Sequence, residues 1–155
     1  MKPSPATTTA VISAIAILCV LGLGGVAAAD GDEPLTKKQF IREADNVCRR
    51  ARARTRRLEA KFFGDWKDPK LDPATLAAFV EANAPVIQNA IDRVRALEEP
   101  KADRKRVNRM LDALQGELDA VADDPSALLV SDPDVESDHL AQAYGFAVCG
   151  QRSPK

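Results

Sequence analysis

Four stretches of this chain repeat apolar residues every three or four positions, and no stretch sustains the period-two alternation of a half-buried strand. A chain patterned in this way has to bury helix stripes against one another. The first stretch carries Phe40, Ile41, Ala44, Val47, Cys48, Ala51, Leu58 and Phe62. Thr36 and Gln39 form a capping box at its start, flanked by the staple residues Leu35 and Phe40. It runs to about Phe63 and stops at Gly64. The second opens with Asp72 as cap and Pro73 at its first position. Its stripe is Leu76, Phe79, Val80, Ile87, Ile91, Val94 and Leu97, with Pro85 inside as an expected kink.

The third helix is expected from about Ala102 to Ala122, with Val107, Met110, Leu111, Leu114, Leu118 and Val121 on one face. Asp124-Pro125 breaks it, and Ala127 to Val130 reads as a short turn packed on the core. Asp132-Pro133 repeats the cap-plus-proline start. A fourth helix then carries Val135, Leu140, Ala143, Phe146 and Ala147 to Cys149, with Gly150 as its C-terminal cap. The fold class is therefore all-α: an antiparallel four-helix bundle, or three long helices plus a short fourth. With 155 residues there is room for one such domain. Its helices fall within 36–150, after a linker at 30–35 and before a tail at 151–155.

Ahead of the linker lies AVISAIAILCVLGLGGVAAA, residues 10–29, without a single charge and preceded by Lys2. A positive start, an apolar middle and Ala27-Ala28-Ala29 before Asp30 read as a secretory signal peptide cleaved after Ala29. The alternative is an uncleaved single-pass anchor, since about 20 apolar residues span a bilayer. Gly22, Gly24 and Gly25 weaken that reading. In both cases Lys2 stays inside, the remainder is exported, and contact with the membrane runs only through residues 10–29.

Export gives the cysteines a meaning. Cys19 leaves with the signal, and the exported part keeps Cys48 and Cys149, an even pair in an oxidising compartment. A disulfide between them would close a loop of roughly 100 residues, worth about 4 to 5 kcal/mol in the chain-entropy model. Two buried free thiols are the alternative. In an up-down-up-down order the end of helix four returns beside the first half of helix one, where the two cysteines can meet.

Charge is segregated along the chain. Lys37 to Lys61 holds ten basic residues against three acidic ones, a balance of +7, while Met110 to Gln151 holds nine acids and neither Lys nor Arg. Within the basic half, Arg49, Arg50, Arg52, Arg54, Arg56 and Arg57 fan over roughly 200° opposite the apolar stripe. One reading is an anion-binding surface for lipid headgroups or envelope polymers, extended by the basic start of helix three. The other is a solvated face, partly neutralised by an acidic helix four lying alongside. Nucleic acid is not an expected partner, because the net charge is −1 and the domain is exported.

Catalytic signatures are missing from the sequence: it has no glycine-rich phosphate loop and no HExxH, CxxC or GxSxG. Two cysteines and one histidine fall short of a structural zinc set. Asp132-x-Asp134-x-Glu136-x-Asp138 lacks the turn glycine of a calcium loop and has Ala143 where the bidentate acid belongs. Acids in the first turns of a helix complement its dipole, which is the simpler reading. His139 is expected to be a partly buried structural residue beside Leu140. No metal, cofactor or enzymatic activity is expected.

The two ends of the domain carry a likeness. LTKKQFIREADNVC, Leu35 to Cys48, and the ending Tyr144-Gly145-Phe146-Ala147-Val148-Cys149-Gly150 resemble a diffuse group of small exported actinobacterial proteins of unknown function. The resemblance spans Leu35 to Gly150, though only its ends are distinctive. It implies a helical fold and an envelope or extracellular location, and it supplies no catalytic residues. The arginine run lies outside the shared pattern. The sequence thus points to a secreted or envelope-associated binding or scaffold protein without catalysis, whose partner is a protein or an anionic envelope component.

Overall fold

The structure, a computed structural model, describes residues 34–64, 72–129 and 135–151. The described residues form four α-helices: α1 (Lys37–Phe63), α2 (Pro73–Arg95), α3 (Arg104–Asp123) and α4 (Glu136–Tyr144). Pro125–Leu128 adds a 3-10 turn. Among the described residues no strand is formed, and the fold is an all-α bundle.

The local signals at the helix starts work as the chain chemistry requires. Gln39 N–H donates to the Thr36 hydroxyl at 3.3 Å, and Thr36 N–H donates to Gln39 Oε1 at 2.9 Å, closing the capping box. Asp72 caps α2 by accepting the Thr75 N–H at 3.0 Å, with Pro73 at the first helical position. Pro85 stays inside α2, which runs on as one element. Asp103 precedes α3 without capping it, because its carboxylate accepts the Tyr144 hydroxyl instead, at 2.9 Å.

Among the described residues one buried cluster and a smaller aromatic group hold the helices together. At one end Phe40, Ala44 and Val47 of α1 meet Val94, Val107, Met110, Leu111, Ala141, Tyr144, Phe146 and Cys149. Phe40, at 0% exposure, takes Tyr144 edge-on at 6.1 Å and packs against Phe146 at 6.1 Å. At the other end Phe79 of α2 packs on Phe62 at 6.0 Å and Phe63 at 4.9 Å. Between the clusters the Thr55 hydroxyl donates to Asn83 Oδ1 at 2.8 Å, and Leu35 N–H donates to Glu98 O at 3.1 Å beyond the end of α2. α2 and α3 are zipped by a reciprocal Gln88–Gln115 amide pair, with Arg95 bonded to Asp112 at 3.0 Å.

The last helix differs from the sequence expectation. It begins at Glu136 and ends at Tyr144, rather than running to Cys149. Gly145, at φ 108°, takes the left-handed cap that the sequence reading gave to Gly150. The buried face is correspondingly Ser137, Ala141 and Tyr144, while Ala143 is exposed. Val135, just before α4, does not cap its first turn through its side chain. Glu117 of α3 does so, accepting Ser137 N–H at 3.0 Å and the Ser137 hydroxyl at 2.6 Å. That grip turns Ser137 inward and rotates His139 outward, so His139 is exposed, not partly buried. The Asp132-Pro133 start lies outside the described residues. The 3-10 turn forms as expected and lies against α2 and α3, but Leu128 and Leu129 point away from the core and are 41% and 50% exposed.

Among the described residues no helix is long and apolar enough to cross a membrane. The signal or anchor segment at 10–29, most of the linker and most of the tail lie outside them.

Candidate functional site

α1 presents one row of residues, Asp45, Cys48 and Arg52, three and four positions apart and hence on one face of the helix. All three hold the segment that follows α4. The Asp45 carboxylate accepts the backbone N–H groups of Ala147 at 3.0 Å, Val148 at 2.9 Å and Cys149 at 3.0 Å. Cys48 forms a disulfide with Cys149, with Cα atoms 5.4 Å apart. The Arg52 guanidinium donates to Val148 O at 3.1 Å. Downstream, Gln142 Nε2 donates to Gly150 O at 2.8 Å.

The chemistry of this grip follows from Gly145. Once the chain leaves the helix there, residues 147–149 have N–H groups without intrahelical partners. A carboxylate is acceptor-only and has room for several such donors. Asp45 is 6% exposed, and an ionised side chain buried that deeply needs such compensation. In the sequence Asp45 stands as an anomaly, an acid between Ala44 and Val47 on an apolar stripe.

The grip also revises how α4 relates to α1. The two cysteines meet, but α4 does not lie along α1. The non-helical segment after it does, and Tyr144 at its last position reaches back to Phe40. The acidic face of α4 is therefore not laid against the arginines. Glu136 pairs instead with Arg109 of α3 at 2.8 Å.

The six arginines separate into three situations. Arg52 is half-buried and spent on Val148 O, which removes it from any anion-binding set. Arg49 is exposed and donates to Asn46 Oδ1 at 2.6 Å. Arg50, Arg54, Arg56 and Arg57 are exposed, and among the described residues none of them has an ion pair within 4.0 Å. Arg50 and Arg54 line a groove between α1 and α2, together with Asn89 and Arg93 of α2. Arg93 was missed in the sequence because it lies outside the run.

Tyr144 is enclosed by Phe40 and Phe146, with the Lys37 ammonium 4.4 Å above its ring. Burial first, and then the hydrogen bond to Asp103, push its phenol well above the usual tyrosine range. The group is therefore a neutral donor at physiological pH. Elsewhere, Glu99 is held below the usual carboxylate range, chiefly by its bond from Arg104 at 2.6 Å. A second, apolar pocket borders the disulfide and is walled by Ile91, Val94, Met110 and Leu111. Among the described residues no three His, Cys, Asp or Glu side chains are grouped to hold a metal ion.

Comparison with known protein families, with curated proteins and with solved structures finds no match to this chain.

Proposed function

We propose that the chain is a non-catalytic helical binding or scaffold module that works outside the cytoplasm, secreted or tethered at the cell envelope. The observation that carries this reading is the Cys48–Cys149 disulfide, closed across 101 residues and seated on a buried carboxylate. Such a bridge suits an oxidising compartment. The apolar segment 10–29 supplies a route there, as a cleaved signal peptide or, alternatively, as an uncleaved single-pass anchor with the same external bundle.

The test is a pair of full-length fusions, one to alkaline phosphatase and one to a cytoplasmic fluorescent protein. Export gives an active phosphatase and a dark fluorophore. A bright fluorophore with inactive phosphatase overturns the reading.

A second reading concerns the ligand: an anionic lipid or envelope polymer held by the arginine face of α1. It is favoured by Arg50, Arg54, Arg56 and Arg57, exposed and without carboxylate partners among the described residues. Binding of this kind weakens steeply with ionic strength. Retention on phosphatidylglycerol vesicles should fall with added salt and vanish on charge reversal of Arg50, Arg54 and Arg57. Retention indifferent to both would remove this reading and leave a protein partner.

A further inference from the structure

We infer that the groove between α1 and α2 is a phosphate-group site, with Arg50, Arg54 and Arg93 as its cationic wall and Asn89 as a neutral hydrogen-bonding partner. This rests on the second reading above and goes beyond it. It concentrates binding at three arginines, one of them outside the run, and names the group they take.

The placement comes from two facing i, i+4 pairs. Arg50 and Arg54 are one turn apart on α1, and Asn89 and Arg93 are one turn apart on α2. All four line one shallow, solvent-open groove, floored by Val47, Ala51, Val86 and Ala90. No acidic side chain lines the groove. Among the described residues, Arg50, Arg54 and Arg93 have no ion pair within 4.0 Å.

Like charges at i, i+4 destabilise a helix, and a third guanidinium across the groove adds to that repulsion. The helix dipole favours Arg93, which sits in the last turn of α2, but it gives no benefit to Arg50 and Arg54 in the middle of α1. Arg95, two residues on, has found Asp112, and Arg104 has found Glu99, whereas these three have no such partner. A single carboxylate offers one charge and two oxygens to three forks. A phosphate group offers up to two charges and three or four oxygens, which matches planar, multidentate guanidinium donors. The Asn89 amide supplies a neutral donor and acceptor on the same side.

The experiment is a titration of the folded, oxidised chain with inorganic phosphate at constant ionic strength, set with chloride. It is read by the NMR signals of arginine Nε–H and of the Asn89 amide. The expected result is saturable shifts at Arg50, Arg54, Arg93 and Asn89. Arg93→Gln should weaken them by about tenfold or more, the worth of one charge-assisted hydrogen bond. The double variant Arg56→Gln/Arg57→Gln, outside the groove, should titrate like the parent. Equal losses in both variants, or shifts spread evenly over all exposed arginines, overturn the site.

Two further arms separate the sources of the phosphate, both of them phosphomonoesters: soluble glycerol phosphate, and phosphatidic acid vesicles. Competition by the first for vesicle retention assigns one shared site. If vesicles retain the chain and Arg93→Gln retains equally, the groove proposal fails while the arginine-face reading stands. If vesicles retain neither protein but phosphate still titrates the groove, the source is soluble; if phosphate titrates nothing either, both readings fail.

Discussion

Asp45 and Cys149 are joined by a hydrogen bond, the Asp45 carboxylate accepting the Cys149 N–H at 3.0 Å. Cys149 is also bridged to Cys48, which lies three residues beyond Asp45 on the same helix. One turn of α1 therefore holds the end of the domain twice, through a carboxylate and through sulfur. The first attachment satisfies the backbone that the second would otherwise leave bare.

Replacing Asp45 tests the first attachment. Asp45→Ala leaves the buried N–H of Cys149 and the half-buried partners at 147 and 148 without an acceptor. Hydrogen bonds to a charged group contribute about 1.5 to 3 kcal/mol each, so a loss on the order of 3 kcal/mol or more is expected. Urea denaturation of the oxidised protein measures it. A change within about 0.5 kcal/mol, as at an ordinary surface position, would mean that the segment is held by other contacts.

Removing the second attachment should act mainly through the unfolded chain. Cys48→Ser/Cys149→Ser opens a loop with a sequence separation of 101, for which the chain-entropy model gives about 4 to 5 kcal/mol. The same loss should follow reduction of the parent protein, and reductant should leave the double variant unchanged. Equal denaturation midpoints with and without reductant would contradict the bridge.

Tyr144 sets an alkaline limit. Its phenol is pushed up by burial and by Asp103, with the Arg106 charge opposing in part. The folded state thus holds this proton more tightly than the unfolded state. The associated stability is complete below the ordinary tyrosine value of about 10 and is lost as pH rises above it. The melting temperature should fall across that range, and Tyr144→Phe should flatten the fall while lowering stability at neutral pH through the lost Asp103 bond. An identical alkaline slope in the two proteins would count against this assignment.

Glu117 is the cap of a helix to which it does not belong. Glu117→Ala removes the acceptor for Ser137 N–H and the Ser137 hydroxyl, at an expected cost of about 1 to 2 kcal/mol, similar to a lost N-cap. Hydrogen exchange of residues 136–144 should accelerate more than that of α1 or α2. Uniform acceleration across the bundle would show that α4 opens only with the whole fold.

The parts of the fold written in local patterns were legible. Thr36 with Gln39, Asp72 with Pro73, and the apolar stripes of the first three helices are short-range signals whose outcome depends on neighbours within a turn. The end of the fourth helix was not. Gly145 and Gly150 both offer a left-handed cap, and the apolar residues between them fit a continued helix. The earlier stop is compatible with a carboxylate about a hundred residues upstream, on Asp45, that takes the released N–H groups. Arg52 is indistinguishable from the other arginines for the same reason: its role depends on the carbonyl of Val148, which no helical spacing reveals. The groove was half legible. Arg50 and Arg54 stand out in the run, whereas Arg93 acquires significance only when α2 is set beside α1.

The central claim is that Cys48 and Cys149 are bridged in a protein that has left the cytoplasm. Intact mass of the chain recovered from the envelope and the medium, alkylated without prior reduction, addresses it most directly. The account predicts a chain beginning at Asp30, two hydrogens lighter than its free-thiol form and unmodified at both cysteines, with a digest that links their peptides. Alkylation of Cys48 and Cys149 in that unreduced material would contradict it.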